Sequence, residues 1–257
     1  HQSVGAGIVE ALPLVSGQRF QVVESNDSNT FCRPGFAHFR VGQNCDPLSK
    51  CQAFSQVING VGDRIDIAFF KFCYVDITDQ TDVSNLFDVY QATMASLSNA
   101  FPRVIFLHVT VPLRLIDHGW PGWLHGKLMG GNRELADQAR RHAFNQMLRG
   151  AYSGSGRLFD LAREQATCSD GKPSSVPYRG EALPSLAPEY TDDGGHLNRP
   201  AAQRMAGRLL ECLNIAANAF NRSESNQQFA SASMSAAAYI DRKSTRLNSS
   251  HGYISYA

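Results

Sequence analysis

Two apolar runs separated by a helical pattern constrain the fold of this chain more than any other feature. The runs are residues 65–74 and 103–113, and Pro112 closes the second. Between them, apolar side chains recur at helical spacing, at Leu86, Val89, Tyr90, Met94 and Leu97. A nearly continuous apolar run is typical of a strand covered on both faces. The order of strand, helix and strand at these lengths predicts a parallel sheet with crossover helices, so the predicted fold class is α/β.

Shorter patterns extend this alternation along the chain. Asp46 is the expected N-cap of a helix whose first turn contains Pro47. We also predict helices from Val4 onward and over 132–148 and 200–220, a strand over 19–24, and a loop rich in Gly, Pro and Ser over 168–188.

Composition narrows the classes of function. The 257 residues include 24 basic and 23 acidic side chains, a formal net charge of +1 that gives no electrostatic case for a nucleic-acid partner. No apolar run approaches the roughly 20 residues that a membrane span needs. Six cysteines favour an exported protein, periplasmic or extracellular, although no signal peptide is in view. They lack any C-x-x-C pair, so zinc is not expected and disulfides stay open: Cys32, Cys45, Cys51, Cys73, Cys168 and Cys212.

The most informative polar stretch is Asp193-Gly-Gly-His196-Leu-Asn198, directly before the last predicted helix. A carboxylate three residues before a histidine can hold one ring nitrogen, which leaves the other to take a proton from a nucleophile. The alternative is that Asp193 only caps the following helix. An isolated D-x-x-H does not separate these interpretations.

A nucleophile and hydrogen-bond donors could come from two other places. Ser3 precedes the helical pattern that begins at Val4, so its hydroxyl is either an N-cap or a nucleophile beside backbone N–H groups that can receive an oxyanion. Gly42 and Asn44 precede the second helix and could supply a backbone N–H and a side-chain amide to the same oxyanion.

Residues 116–131 predict a long loop that could line a cleft. His118 and His125 lack the i, i+4 spacing of a helical metal pair, and we interpret them as loop histidines. Trp120 and Trp123 could stack on a sugar ring or simply pack beneath the loop. The sequence predicts no metal and no cofactor.

Taken together, these motifs resemble the SGNH (GDSL-type) serine hydrolases over roughly residues 1–220. The resemblance is to a bacterial branch with H-x-S-V-G at the nucleophile, a strand ending in lysine and cysteine, and a strand of the form H-x-T-x-P-L. The matching stretches are His1-Gln-Ser-Val-Gly5, Lys71-Phe-Cys-Tyr-Val-Asp76 and His108-Val-Thr-Val-Pro-Leu113.

The resemblance implies a three-layer α/β/α fold of the flavodoxin-like kind and a Ser-His-Asp triad made of Ser3, His196 and Asp193. It also implies the backbone N–H groups of Ser3 and Gly42 as oxyanion donors. The usual Gly-x-Asn-Asp block after the third strand is absent here, and Cys73-Tyr74 stands in its place. We therefore take Asn44 as the third donor on chemical grounds alone.

The two ends of the chain carry separate expectations. In this fold the nucleophile follows the first strand, yet only two residues precede Ser3, so the first strand is predicted to be missing and its slot in the sheet to be open. Residues 223–238 have a composition typical of disorder, and residues 241–251 resemble a translated sequencing adapter. We expect a hydrolase domain over 1–222 and a low-complexity, artefactual tail over 223–257.

Three functions fit these observations. The first is a serine esterase or deacylase, with a small-molecule or carbohydrate ester as substrate and an acyl-enzyme intermediate. The second is a non-catalytic carbohydrate-binding or polysaccharide-assembly protein, since a fold does not fix a function. The third, a metal-assisted phosphodiesterase, is disfavoured because no carboxylates and histidines cluster at ligand spacing.

Overall fold

Helices and strands alternate along most of the chain. The structure is a computed structural model that describes residues 4–25, 27, 29–30, 35–116, 131–235 and 252–256. Its helices are α1 (Val4–Ser16), α2 (Pro47–Val61), α3 (Val83–Ala100), α4 (Gly131–Tyr152), α5 (Leu161–Gln165) and α6 (Arg199–Ser235). Its strands are β1 (Gln21–Glu24), β2 (Gly35–Phe39), β3 (Ile67–Phe70), β4 (Ile105–Phe106), β5 (His108–Val109), β6 (Leu158–Phe159), β7 (Ser175–Tyr178), β8 (Glu181–Pro184) and β9 (Gly252–Tyr256).

The main sheet is parallel, as predicted. Its strand order is β1, β2, β9, β3, β4, and every pairing in it is parallel. Strands β5 and β6 form a second parallel pair, whereas β7 and β8 form an antiparallel hairpin. The predicted α/β class is confirmed.

The side chains of β3 show why the sheet needs a helical layer on each face. Ile67 and Phe69 belong to one core cluster, which includes side chains of α1 and α6. Ala68 and Phe70 belong to the other, with side chains of α2, α3 and α4. Successive strand residues point to opposite faces. An apolar run without alternation is therefore buried on both faces, between two layers of helices.

The start of α2 follows the sequence prediction. Asp46 Oδ1 accepts a hydrogen bond of 3.1 Å from the Ser49 N–H, and Pro47 stands in the first turn. The cap fixes where the chain turns from the loop after β2 into the helix. The candidate oxyanion residues Gly42 and Asn44 lie in that loop.

Several elements differ from the sequence predictions. Strand β2 was not predicted, and the predicted loop over 168–188 contains the hairpin of β7 and β8. Helix α6 continues to Ser235, through residues whose composition is typical of disorder. Runs of Ser, Ala, Asn and Gln lack apolar periodicity, but they extend a helix that is already nucleated and packed.

Strand β9 lies in the middle of the main sheet, between β2 and β3. Ile254 is paired with Ala37 of β2 on one side and with Ala68 of β3 on the other. Residues 252–256, which belong to the tail predicted over 223–257, form β9. An open slot would leave the facing N–H and C=O groups of β2 and β3 unpaired in the middle of the sheet, and β9 pairs with both strands.

Two further observations concern the class of protein. Among the described helices, none is long and apolar enough to cross a membrane. The cysteines that the structure describes are all free thiols: Cys45, Cys51, Cys73, Cys168 and Cys212.

Candidate active site

Asp193 and His196 form a tight pair in the loop before α6. Asp193 Oδ2 lies 2.6 Å from His196 Nδ1, and Asp193 Oδ1 accepts hydrogen bonds from the backbone N–H groups of His196 (2.7 Å) and Gly195 (2.9 Å). The hydroxyl of Thr191 contributes a further contact of 3.3 Å to the same oxygen. The loop therefore fixes both the carboxylate and the imidazole ring.

The cap of α6 is a different residue. Asn198 Oδ1 accepts a hydrogen bond of 3.1 Å from the Ala201 N–H. Asp193 makes its backbone bonds within its own loop, to Gly195 and His196, ahead of the helix. The interpretation of Asp193 as a simple helix cap is thus wrong, and its side chain serves the histidine.

The protonation state of the Asp193 carboxylate decides which ring nitrogen of His196 carries the proton. Hydrogen bonds, first from the His196 backbone N–H and then from the His196 ring, lower the pKa of Asp193 well below its usual value. An ionised carboxylate only accepts hydrogen bonds, so Nδ1 of His196 must be the donor. With the proton on Nδ1, Nε2 is the basic nitrogen of the neutral ring.

Tyr74 and Arg114 form one wall beside this loop. The Tyr74 ring lies edge-on to the His196 ring at a centroid distance of 6.3 Å, and the Arg114 guanidinium stands over Tyr74 at 5.3 Å. A Cβ atom on Gly195 would come within 3.3 Å of the Tyr74 hydroxyl and 3.5 Å of Arg114 Nε. The loop therefore packs closely against this wall at Gly195.

A network of charged side chains holds the wall in place. Glu134 binds Arg114 Nη1 at 2.9 Å and also pairs with Arg141. Arg141 is almost fully buried and donates to the Tyr74 carbonyl at 2.9 Å. Burial lowers the pKa of Arg141 from its usual value. Glu134 thus bridges the two guanidinium groups, and the charges of Glu134 and Asp137 both act on Arg141.

A second polar cluster lies at the carboxyl ends of β2 and β3. Lys50 Nζ donates to Asp76 Oδ2 at 2.6 Å and to Asn44 Oδ1 at 3.0 Å. The Lys50 side chain is 5% exposed and that of Asp76 is 0% exposed, so this is a buried ion pair. Removing one partner of such a pair typically costs about 3–5 kcal/mol. The loop that contains Asn44 is therefore firmly tied to the core.

Gly42 has the backbone conformation that this cluster requires. Its φ angle is +62°, and a Cβ atom there would lie 2.6 Å from the backbone nitrogen of Lys50. Both facts demand glycine. Within the described residues, no hydrogen bond uses the Gly42 N–H.

A second lysine lies close by. Lys71 directly follows β3 and is 6% exposed. Burial, the largest cause, lowers the pKa of its ammonium group, and the neighbouring charge of Lys50 acts in the same direction. The carboxyl ends of β2 and β3 therefore carry two buried lysines beside one buried aspartate.

The structure brings together part of the site predicted from sequence. Asp193 and His196 are paired, and Gly42 and Asn44 lie in one loop against Lys50. Ser3 lies outside the described residues, and so do His118, His125, Trp120 and Trp123. Sequence reasoning assigned no role to Lys50, Tyr74, Asp76 or Arg114, although Tyr74 and Asp76 belong to the motif that starts at Lys71.

The start of α1 is close to the Asp193–His196 loop. Gly7, the fourth residue of α1, faces Ala202, the fourth residue of α6, with 3.8 Å between the Ala202 Cβ and a Cβ placed on Gly7. Four helical residues cover only about 5 Å of axis, so the two helices start near each other. His196 precedes α6 by three residues.

The described part of the chain was compared with what a metal site needs, which is a cluster of several ligand side chains. Those residues contain no group of three or more His, Cys, Asp or Glu side chains that could hold a metal ion. Besides Asp193, the Tyr74 ring lies against His196, and Arg114 lies next to Gly195.

Comparisons with known proteins add little to this geometry. No protein-family model and no curated protein matches the chain. A solved structure from Streptococcus pneumonia, provisionally named a platelet activating factor, is similar over 81% of this chain and 92% of its own. Its sequence identity is 13% and its TM-score 0.45, too low for any argument about function.

Proposed function

We propose that this chain is a serine hydrolase that cleaves acyl or acetyl esters through an acyl-enzyme. The observation that carries the proposal is the 2.6 Å contact between Asp193 Oδ2 and His196 Nδ1. It presents a histidine with a fixed ring orientation and a fixed tautomer, which is what a general base needs.

Ser3 is the proposed nucleophile. It directly precedes Val4, the first residue of α1, and α1 starts close to the start of α6. Ser3 is four residues before Gly7, and His196 is six residues before Ala202. Because Gly7 faces Ala202, both candidate catalytic residues belong to chain segments close to this helix contact. The identity of Ser3 as nucleophile rests on this proximity and on the H-x-S-V-G resemblance.

The proposed reaction has two half-reactions. Ser3 Oγ attacks the ester carbonyl carbon while His196 Nε2 takes the hydroxyl proton, and Asp193 stabilises the resulting imidazolium. The tetrahedral oxyanion collapses, the C–O bond to the alcohol breaks, and His196 returns the proton to the leaving alcohol. Water then repeats the sequence on the acyl-enzyme, which releases the acid and restores Ser3.

Three donors are proposed for the oxyanion. The backbone N–H groups of Ser3 and Gly42 and the side-chain amide of Asn44 would share the negative charge. The exposed loop of Gly42 and Asn44 lies at the carboxyl ends of the parallel strands, the edge where ligands bind in open α/β sheets. A small ester or an acylated sugar is the proposed substrate class.

Hydrolysis of p-nitrophenyl acetate by Ser3→Ala tests the proposal. We expect kcat to fall by about 10³-fold or more, because without its nucleophile the enzyme keeps only binding and oxyanion stabilisation. Ser16→Ala, at the other end of α1, is the matched control and should keep kcat. Unchanged turnover by Ser3→Ala would rule out Ser3 as the nucleophile, and a wild-type protein that hydrolyses no ester would favour the binding function.

A further inference from the structure

Lys50 contacts Gly42 and Asn44, the two proposed oxyanion donors in the loop after β2. Its Nζ atom donates to Asn44 Oδ1 at 3.0 Å, while its backbone nitrogen and Cα lie 2.6 and 2.7 Å from the position that a Cβ on Gly42 would take. One residue of α2 therefore touches Gly42 through its main chain and Asn44 through its side chain.

The chemistry of the two groups fixes the orientation of the Asn44 amide. A lysine ammonium can only donate hydrogen bonds, so the amide atom that faces it must be the oxygen. The NH2 group of Asn44 then points away from Lys50. Among the described residues it has no hydrogen-bond partner, and the Asn44 side chain is exposed to solvent.

Asp76 holds Lys50 in this position. Its Oδ2 binds Lys50 Nζ and the Cys73 backbone N–H, both at 2.6 Å, and its Oδ1 accepts from the Cys45 N–H at 3.0 Å. The carboxylate thus joins the loop after β2 to the turn after β3. Tyr74 belongs to the same turn and lies against His196.

The charge of Lys50 is balanced by its partner. The ammonium group and the Asp76 carboxylate are 2.6 Å apart and both are buried, so the charges within this pair largely cancel, and burial lowers the pKa of the neighbouring Lys71. A neutral amide donor held by a balanced ion pair keeps its direction without reorganising during the reaction, which is the property that favours transition-state stabilisation.

We infer that Lys50, paired with Asp76, is a positioning residue that holds the Asn44 amide and the Gly42 N–H as oxyanion donors. This inference rests on the proposed function. Lys50 itself does not touch the substrate. Its effect on the reaction passes through Asn44, and it should therefore act on kcat much more than on KM.

A double-mutant cycle in kcat tests this dependence. Asn44→Ala and Lys50→Met should each lower kcat by about 10²-fold with KM nearly unchanged, because each removes the same oriented donor. The double variant should then lose about as much as either single variant, whereas independent effects would multiply to about 10⁴-fold. Multiplied losses would overturn the inference, as would an unchanged kcat in Lys50→Met.

Controls separate positioning from damage to the fold. Rates are expressed per site titrated with a fluorophosphonate, so that a partly unfolded sample does not mimic a lower kcat. Lys172→Met removes an exposed ion pair with Asp170 and should keep kcat. If Lys50→Met does not fold, Lys50→Gln replaces it: its amide can still donate to Asn44, so kcat should fall less than in Asn44→Ala, and the substitution should cause no further loss in the Asn44→Ala background.

Ser3→Ala, measured in parallel, distinguishes a failure of the inference about Lys50 from a failure of the proposed function. Loss of hydrolysis in Ser3→Ala together with multiplied losses in the cycle overturns only the role of Lys50. Full hydrolysis by Ser3→Ala overturns the proposed function and this inference with it.

Discussion

Asp193 binds His196 twice. One carboxylate oxygen accepts the backbone N–H at 2.7 Å, and the other lies 2.6 Å from the ring Nδ1. The first contact places the residue and the second sets the ring, so a short loop delivers an imidazole of defined orientation to the start of α6.

Replacing the carboxylate of Asp193 should impair turnover severely. Asp193→Asn keeps the size of the side chain but offers an amide that can present a donor to Nδ1, which favours the wrong tautomer of His196. We expect kcat for p-nitrophenyl acetate to fall by at least about 10²-fold. Asp192→Asn is the matched control in the same loop. Similar rates for both variants would show that Asp193 does not orient the base.

Gly42 should not tolerate a side chain. Gly42→Ala places a Cβ 2.6 Å from the Lys50 nitrogen on a backbone with φ of +62°, so we expect a loss of about 2 kcal/mol or more in the free energy of unfolding. Gly60→Ala, in α2 with no atom within 4 Å of the added Cβ, is the control and should gain roughly 0.5 kcal/mol. Urea unfolding of both variants measures the difference, and equal stabilities would contradict so close an approach of Lys50 to Gly42.

His108 should make the protein less stable in acid. It is buried, it bonds through Nδ1 to the Tyr90 hydroxyl at 2.8 Å, and its ring stacks on Tyr152. Burial, with a smaller effect of Arg157, lowers the pKa of His108 to about 3. Between pH 6.5 and 3 the unfolded chain binds a proton that the folded chain does not, so stability falls as the pH falls through this window.

Unfolding experiments in urea between about pH 7 and 4.5 measure this slope. His108 should contribute up to about 1.4 kcal/mol per pH unit, and His108→Gln should remove that contribution. His38→Gln is the control, because His38 is only half-buried and its pKa, also lowered by burial, should contribute less. An unchanged slope in His108→Gln would show that the imidazole is accessible to protons in the folded state.

The place of β9 in the sheet is open to a direct test. Ile254→Pro removes an N–H from a strand that is paired on both sides and should lower Tm by about 10 °C or more, since the pairing of β9 with its neighbours is broken in the middle of the sheet. Ile254→Val is the matched control and should change Tm little. If both variants melt at the same temperature, the tail lies outside the fold, as its sequence suggests.

The parts of the fold that were predicted from sequence are those set by local patterns. Apolar residues recur at helical spacing over 82–100, and Asp46 precedes Pro47 as an N-cap should. Helices α3 and α2 form there as predicted. Strand β2 was missed because it is short and His38 interrupts its apolar residues. The hairpin was missed because Pro177 lies within β7, and a proline usually argues against a strand.

At the candidate site too, contacts between residues close in sequence could be predicted, whereas contacts between distant residues could not. Asp193 and His196 are three residues apart, so their contact could be predicted from spacing alone. Lys50 and Asp76 are 26 residues apart on different elements, and only the parallel alignment of β2 and β3 with β9 between them brings their loops together. No local pattern in the sequence carries a signal for such a pair.

Covalent labelling of Ser3 tests the central claim most directly. The protein is incubated with a fluorophosphonate, digested, and the modified peptide is identified by mass spectrometry. The proposed triad predicts one adduct, on Ser3, that forms far more slowly in His196→Ala because the base that activates the hydroxyl is gone. An unlabelled Ser3 in a protein that still hydrolyses esters, or labelling that does not depend on His196, would contradict it.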